Sequence, residues 1–147
     1  MRVGQSDPYH LHRFVEVQDP VYAQVCEELK HGRKTGHWMW FIFPQLAGLG
    51  SSEMARRFAI SSLSEAEAYM QHRLLGMRLE ECAALVLKVS GKTANEIFGS
   101  PDDMKFRSCM TLFSRTAGNR PIFQDNLTKY FGGKPDPLTT NLLRPGG

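Results

Sequence analysis

Arg33, Lys34 and Thr35 lie between Gly32 and Gly36, and His37, Trp38 and Trp40 follow directly. Backbone amides of a short glycine-framed loop and two cations can converge on an anion, while an indole stacks on a base or ring. A second charged cluster, Asp102, Asp103, Lys105 and Arg107, recurs farther along. On a helix, Asp103 would hold Arg107 at i,i+4 and present it to a phosphate or carboxylate, with Asp102 and Lys105 three apart on another stripe. His37 titrates near neutrality, which suits proton transfer, although no Asp or Ser stands at triad spacing. Gln45 ends the apolar run as a polar group available to a ligand. The candidate catalytic residues are therefore Asp102, Asp103 and His37. The candidate ligand-binding residues are Arg33, Lys34, Trp38, Trp40, Gln45, Lys105 and Arg107. Each group also has a plainer reading: a helix C-terminus with basic charge at its carbonyls, core aromatics, and a solvated helix face.

These residues need a frame, and the frame reads as helices. Leu11, Phe14 and Val15 form an apolar stripe, and Asp19-Pro20 has the form of an N-cap with proline at the first helical position. The helix that follows buries Val21, Val25 and Leu29 and stops at Gly32. Ser64 and Glu67 have capping-box spacing, with a break near His72. Leu75, Leu79, Cys82, Val86 and Val89 alternate steps of four and three, a seam that must be buried, and Gly91 stops it. A short turn at 94–98 precedes Gly99. Ser100, Pro101 and Asp103 mark another start, with Phe106, Cys109, Met110, Phe113 and Ala117 inward and Gly118-Asn119 as the end. A last helix spans 121–131 and ends at Gly132-Gly133. The apolar run Trp38 to Phe43 has no strand partner elsewhere, so it is expected to be irregular or briefly helical. The expected fold class is all-α: a compact bundle of about six to eight helices around one core, with an irregular aromatic segment at 37–50. One domain is expected over 8–143, with 1–7 and 144–147 as flexible ends.

With 147 residues, 41% apolar and 22% charged, the chain has the composition of one globular domain. A net charge of +3 allows an anionic ligand but argues against nucleic acid as partner. Cys26, Cys82 and Cys109 form no CxxC pair and lie in apolar helical stretches, which reads as reduced thiols in a reducing compartment. His10 and His12 point to different helix faces, so no metal is expected, and no cofactor either. Residues 1–8 carry no signal-peptide run and nothing approaches a membrane span, making the cytoplasm the expected location.

The blocks LHRFVEVQDPVY, GRKTGHWMWFIFPQLAGLG, EIFGSPDDMKFRSCMTLF and KYFGGKPDP resemble the bacterial domain-of-unknown-function family 1810, over about residues 9–143. The resemblance implies a compact, mostly helical cytosolic protein with no established activity. Members often carry a calpastatin label, which does not suit this chain, because a protease inhibitor of that kind is disordered and polar. The family pattern usually has serine where this chain has Cys109. The family is also similar at fold level to the NADAR group, helical proteins associated with ADP-ribose and N-glycosidic bond cleavage. The leading expectation is a protein binding a nucleotide or ribosyl-phosphate compound, with N-glycosidic-bond hydrolysis as its candidate reaction. The rival is an interaction module using exposed members of the 38–43 run or Tyr130-Phe131. Weak single-strand nucleic-acid binding is the least favoured. The residues leave ligand identity, catalysis and oligomeric state open.

Overall fold

Polar caps and buried seams divide the chain into ten helices among the residues that the computed structural model describes, 6–118 and 120–144. They are α1 (His12–Gln18), α2 (Tyr22–Lys30), α3 (Met39–Ile42), α4 (Glu53–Arg57), α5 (Leu63–Gln71), α6 (Arg73–Lys88), α7 (Ala94–Phe98), α8 (Asp102–Ser114), α9 (Ile122–Phe131) and α10 (Pro137–Leu143). The fold is all-α. No strand forms among the described residues, and the one β-type contact is an isolated parallel bridge between Leu46 and Ile60.

Two helices exceed the six to eight expected, and both begin at a side-chain cap. Ser52 accepts the N–H of Ala55 to open α4, and Asp136 accepts the N–H of Thr139 to open α10. Asp19 does not cap α2 as its spacing with Pro20 suggested. The turn out of α1 is closed by Val21 N–H on the Gln18 carbonyl, and the Asp19 carboxylate pairs with Arg78 at 2.9 Å instead. The cap of α5 is Ser62 rather than Ser64, because Ser62 accepts the N–H of Glu65. Ser100 makes no side-chain cap bond, and α8 stops at Ser114, leaving Ala117 exposed. The expected terminator residue Asn119, and residues 1–5 and 145–147 of the expected flexible ends, lie outside the described residues. Asp7, which the sequence reading places in the N-terminal end, has its carboxylate on the Leu11 and His12 N–H groups.

The α6 seam is buried at Leu75, Leu79, Cys82 and Val86, and it packs α6 against α2, α5 and α9. The aromatic segment threads the centre: Trp38, Met39, Phe41, Ile42 and Phe43 are all buried. Phe43 meets Phe106 of α8 edge-on at 5.0 Å, and Phe106 stacks on Phe98 of α7 at 4.7 Å. α8 thereby binds the aromatic segment on one side while packing α9 and α10 on others.

Gly76 in the first turn of α6 tests this packing. A Cβ there would lie 2.3 Å from the carbonyl oxygen of Met70, a backbone atom at the α5–α6 corner. In an open helix, alanine for glycine adds about 1 kcal/mol of stability. Here the sign reverses: Gly76→Ala is expected to destabilise by about 1–3 kcal/mol, as overpacking does. A urea titration that finds Gly76→Ala as stable as the parent would refute the tight corner.

Candidate functional site

The loop between α2 and α3 is held from behind by one carboxylate. Glu28 is 9% exposed, and its Oε1 accepts the N–H of Thr35 at 2.7 Å, the N–H of Gly36 at 3.0 Å and the indole Nε1–H of Trp38 at 2.9 Å. Gln24 donates to its other oxygen at 2.8 Å. Burial by itself would push the Glu28 carboxyl up. The donors of Gly36, Gln24, Thr35 and Trp38 more than offset that and hold it down to about 2. Gly36 has to lack a side chain because a Cβ would sit 2.8 Å from Trp38 Cδ1, blocking the indole from Glu28. The glycine-framed loop therefore directs its Thr35 and Gly36 amides at the protein's own carboxylate rather than at an external anion.

That fold of the loop turns Lys34 inward. Its N–H bonds the Ile97 carbonyl at 2.8 Å, and its Nζ reaches the Gly36 carbonyl at 2.6 Å and Asp102 Oδ2 at 2.8 Å, 5.1 Å from the Trp38 ring centre. Asp102 Oδ1 pairs in turn with Lys105 at 3.3 Å. Lys105 lies 5.2 Å from the ring centre of half-buried Trp40. One carboxylate is thus shared by two ammonium groups. Lys34 is nearly covered at 9% side-chain exposure, whereas Lys105, at 24%, keeps donors free toward solvent.

Lys105 lines a half-open cavity of about 490 Å³ together with Gln45, Ser52, Ser108, Met104 and Asp136. That volume suits a small organic ligand. Gln45 is held by its backbone, whose carbonyl accepts the Ile60 N–H at 2.8 Å, while its side-chain amide has no hydrogen-bond partner among the described residues. Asp136 is the acid that the sequence reading missed. Its Oδ2 is taken by the N–H and hydroxyl of Thr139, while Oδ1 has no partner among the described residues. Its carboxylate is 7% exposed as a residue yet lines the cavity.

α8 positions Asp136 through side chains expected to serve a ligand. Arg107 donates to the carbonyls of Lys134 at 3.0 Å and Pro135 at 3.1 Å and lies over the Phe131 ring. Thr111 Oγ accepts the Asp136 N–H at 2.8 Å. The expected Asp103–Arg107 pair does not form among the described residues. Asp103 instead accepts from Asn95 and from the Met104 N–H. Arg107 is a positioning residue, and its fork is occupied by backbone oxygens.

The structure thus brings Lys34, Asp102, Lys105, Trp38 and Trp40 into one cluster, with Lys105 and Gln45 in the adjoining cavity. Arg33 and His37 are exposed and outside it, and Asp103 faces α7. Trp38 is a core residue bonded to Glu28, so stacking on a ligand falls to Trp40 alone. Burial takes the 38–43 run, Trp40 apart, out of the surface that an interaction module would present, while Tyr130 and Phe131 are half-buried. Among the described residues no helix is long and apolar enough to cross a membrane.

No curated protein matches the chain. The crystal structure of the conserved hypothetical protein Rv1873 from Mycobacterium tuberculosis is similar to it, with a TM-score of 0.92 and 58% sequence identity. The match covers 93% of this chain and 98% of that one. A family model described as protein of unknown function (DUF1810) matches residues 8–143, and the chain belongs to that family.

Proposed function

We propose that the cavity beside Lys105 binds a ribosyl phosphate or nucleotide in the cytosol. The observation that carries this reading is that one solvent-facing ammonium, one amide and one carboxylate oxygen, the last two without a partner among the described residues, line the same cavity. An ammonium takes a phosphate oxygen, and a carboxylate oxygen accepts a sugar hydroxyl. In this reading Lys105 holds the phosphate, while Gln45 and Asp136 hold ribose hydroxyls. Asp102 keeps Lys105 oriented, and Lys34 anchors Asp102. Hydrolysis of an N-glycosidic bond is the reaction class this set fits. Positive charge develops at the anomeric carbon, and the free oxygen of Asp136 would stabilise it.

Thermal shift and calorimetry against inorganic phosphate, ribose 5-phosphate, AMP and ADP-ribose test the proposal. A ligand present at 100 times its Kd stabilises the fold by about 2.7 kcal/mol. Lys105→Ala is expected to weaken every phosphate-bearing ligand about 10- to 100-fold, as loss of a charge-assisted hydrogen bond does. Asp136→Asn keeps a good helix cap. It is expected to weaken ribosyl ligands while leaving inorganic phosphate unchanged. Release of free base, followed chromatographically, would then report hydrolysis. A panel in which nothing binds, or in which Lys105→Ala binds as the parent does, defeats the proposal.

A further inference from the structure

A phosphate on Lys105 and ribose hydroxyls on Gln45 and Asp136 would engage only the polar part of the cavity lining. Leu49, Ala55, Pro101, Met104 and Leu138 line the same space. Five large apolar side chains are exposed among the described residues, and two of them, Met104 at 44% and Leu138 at 63%, belong to this lining. Exposed apolar surface at a cavity with convergent polar groups is surface that a ligand covers. The chain sets the two kinds of lining close together. Met104 directly precedes Lys105 on α8, and Leu138 follows Asp136 by two residues at the start of α10, which packs against α8. Trp40, the tryptophan left open to a ligand, does not line this cavity, and the Lys105 ammonium lies 5.2 Å from its ring centre.

Building on the ligand reading of this cavity, we propose that Met104 and Leu138 hold the base of a nucleotide, so that the ligand is a whole nucleotide rather than a bare sugar phosphate. A ribosyl phosphate alone would leave this apolar surface in water, whereas a base on the anomeric carbon covers it with the flat face of its ring. Asp136 and Leu138 lie two residues apart, so the carboxylate at the sugar and the apolar side chain at the base come from one helix start. The five apolar residues carry neither charge nor amide. Ser52 and Ser108 also line the cavity, but Ser52 Oγ accepts the Ala55 N–H at 3.1 Å and Ser108 Oγ donates to the Met104 carbonyl at 3.1 Å. An apolar surface covers a ring without reading the hydrogen-bonding pattern of its edge, and such surfaces discriminate weakly between rings of similar size. Met104 and Leu138 therefore set specificity for the presence of a base, not for its identity.

Calorimetric titration of the full chain with ribose 5-phosphate, AMP, GMP, CMP and UMP tests the base site. AMP should bind about tenfold more tightly than ribose 5-phosphate, as burial of one ring face against apolar side chains gives. GMP should fall within about threefold of AMP, with CMP and UMP between the purines and the sugar phosphate because they bury less ring. Met104→Ala and Leu138→Ala, at exposed positions, should each lose about three- to tenfold in AMP affinity and leave ribose 5-phosphate unchanged. Leu142→Ala, one turn farther along α10 and outside this cavity, should change neither. The comparison of AMP with ribose 5-phosphate needs no variant to fold. Equal affinity for those two, an equal loss of both in Met104→Ala and Leu138→Ala, or a GMP affinity more than about tenfold from that of AMP overturns the base site while phosphate binding at Lys105 stands. Binding of none of these ligands overturns the reading of the cavity itself, and the base site with it.

Discussion

Replacing Glu28 by alanine lowers the free energy of unfolding by about 3–5 kcal/mol, the loss expected when buried donors are left without their charged acceptor. The donors at stake are the Trp38 indole, the Thr35 and Gly36 amides and the Gln24 side chain. Gln24 is exposed on α2 and can turn to water, but the Thr35 and Gly36 amides reach no other acceptor without undoing the loop, and the indole is buried. Glu28→Gln should lose less, since its amide oxygen still accepts from Thr35, Gly36 and Trp38 and its NH2 can face Gln24, whose amide turns to present its oxygen, while the charge is lost. Urea denaturation at pH 7 measures both. A loss below about 1 kcal/mol in Glu28→Ala would mean that the loop does not depend on this carboxylate.

The same residue predicts a pH dependence with a definite sign. The Glu28 carboxyl is depressed in the folded protein, from an ordinary value of 4.5 to about 2. A depressed carboxylate contributes stability that is fully present above the unfolded value and lost as pH falls toward the folded one. The parent should therefore lose stability between pH 4.5 and about 2, and Glu28→Gln should show a shallower slope in that window. Parallel curves for the two proteins would assign the acid sensitivity to other groups.

Much of the frame is legible locally because its signals are local. The α6 seam from Leu75 to Val86 follows from helical period alone, and the stop at Gly32 coincides with a positive φ of 71°. The cluster of Lys34, Asp102 and Lys105 is legible only as residue types, because Lys34 meets Asp102 through a fold that no spacing encodes. Glu28 carries one faint signal. It sits beside Leu29 on the apolar side of α2, where a charge has to find partners, but those partners lie seven to ten residues away around a turn. Asp136 illustrates the limit of cap signals. Asp19-Pro20 and Asp136-Pro137 are the same dipeptide, yet only the second caps a helix. At the first, Arg78 from α6 takes the carboxylate. Arg107 misleads in the opposite direction, since a fork suited to phosphate is equally suited to the two carbonyls that bring Asp136 to the cavity.

Phe106→Ala is expected to destabilise the fold by about 3–5 kcal/mol, the range for emptying a buried aromatic site. Phe106 is fully buried, stacked on Phe98, edge-on to Phe43 and 6.4 Å from Phe131. Rings from α3's C-terminal end, α7 and α9 therefore meet at one side chain of α8, and none can collapse into the space without leaving its own helix. The consequence reaches the site, because Asp102 and Lys105 stand on the same helix within a turn of Phe106. Loosening α8 against the aromatic segment separates Asp102 from Lys34, so ligand affinity should fall with stability. In Met104→Ala, on the exposed side of α8, the loss should stay within about 0.5 kcal/mol. Calorimetric unfolding compares the two variants at roughly 2–4 °C per kcal/mol for a chain of this size. Equal melting temperatures for Phe106→Ala and Met104→Ala would show that the aromatic cluster does not hold α8 in place. Lys34 and Asp102 would then have to be kept together by their own largely covered ion pair and the bond from Lys34 to the Gly36 carbonyl.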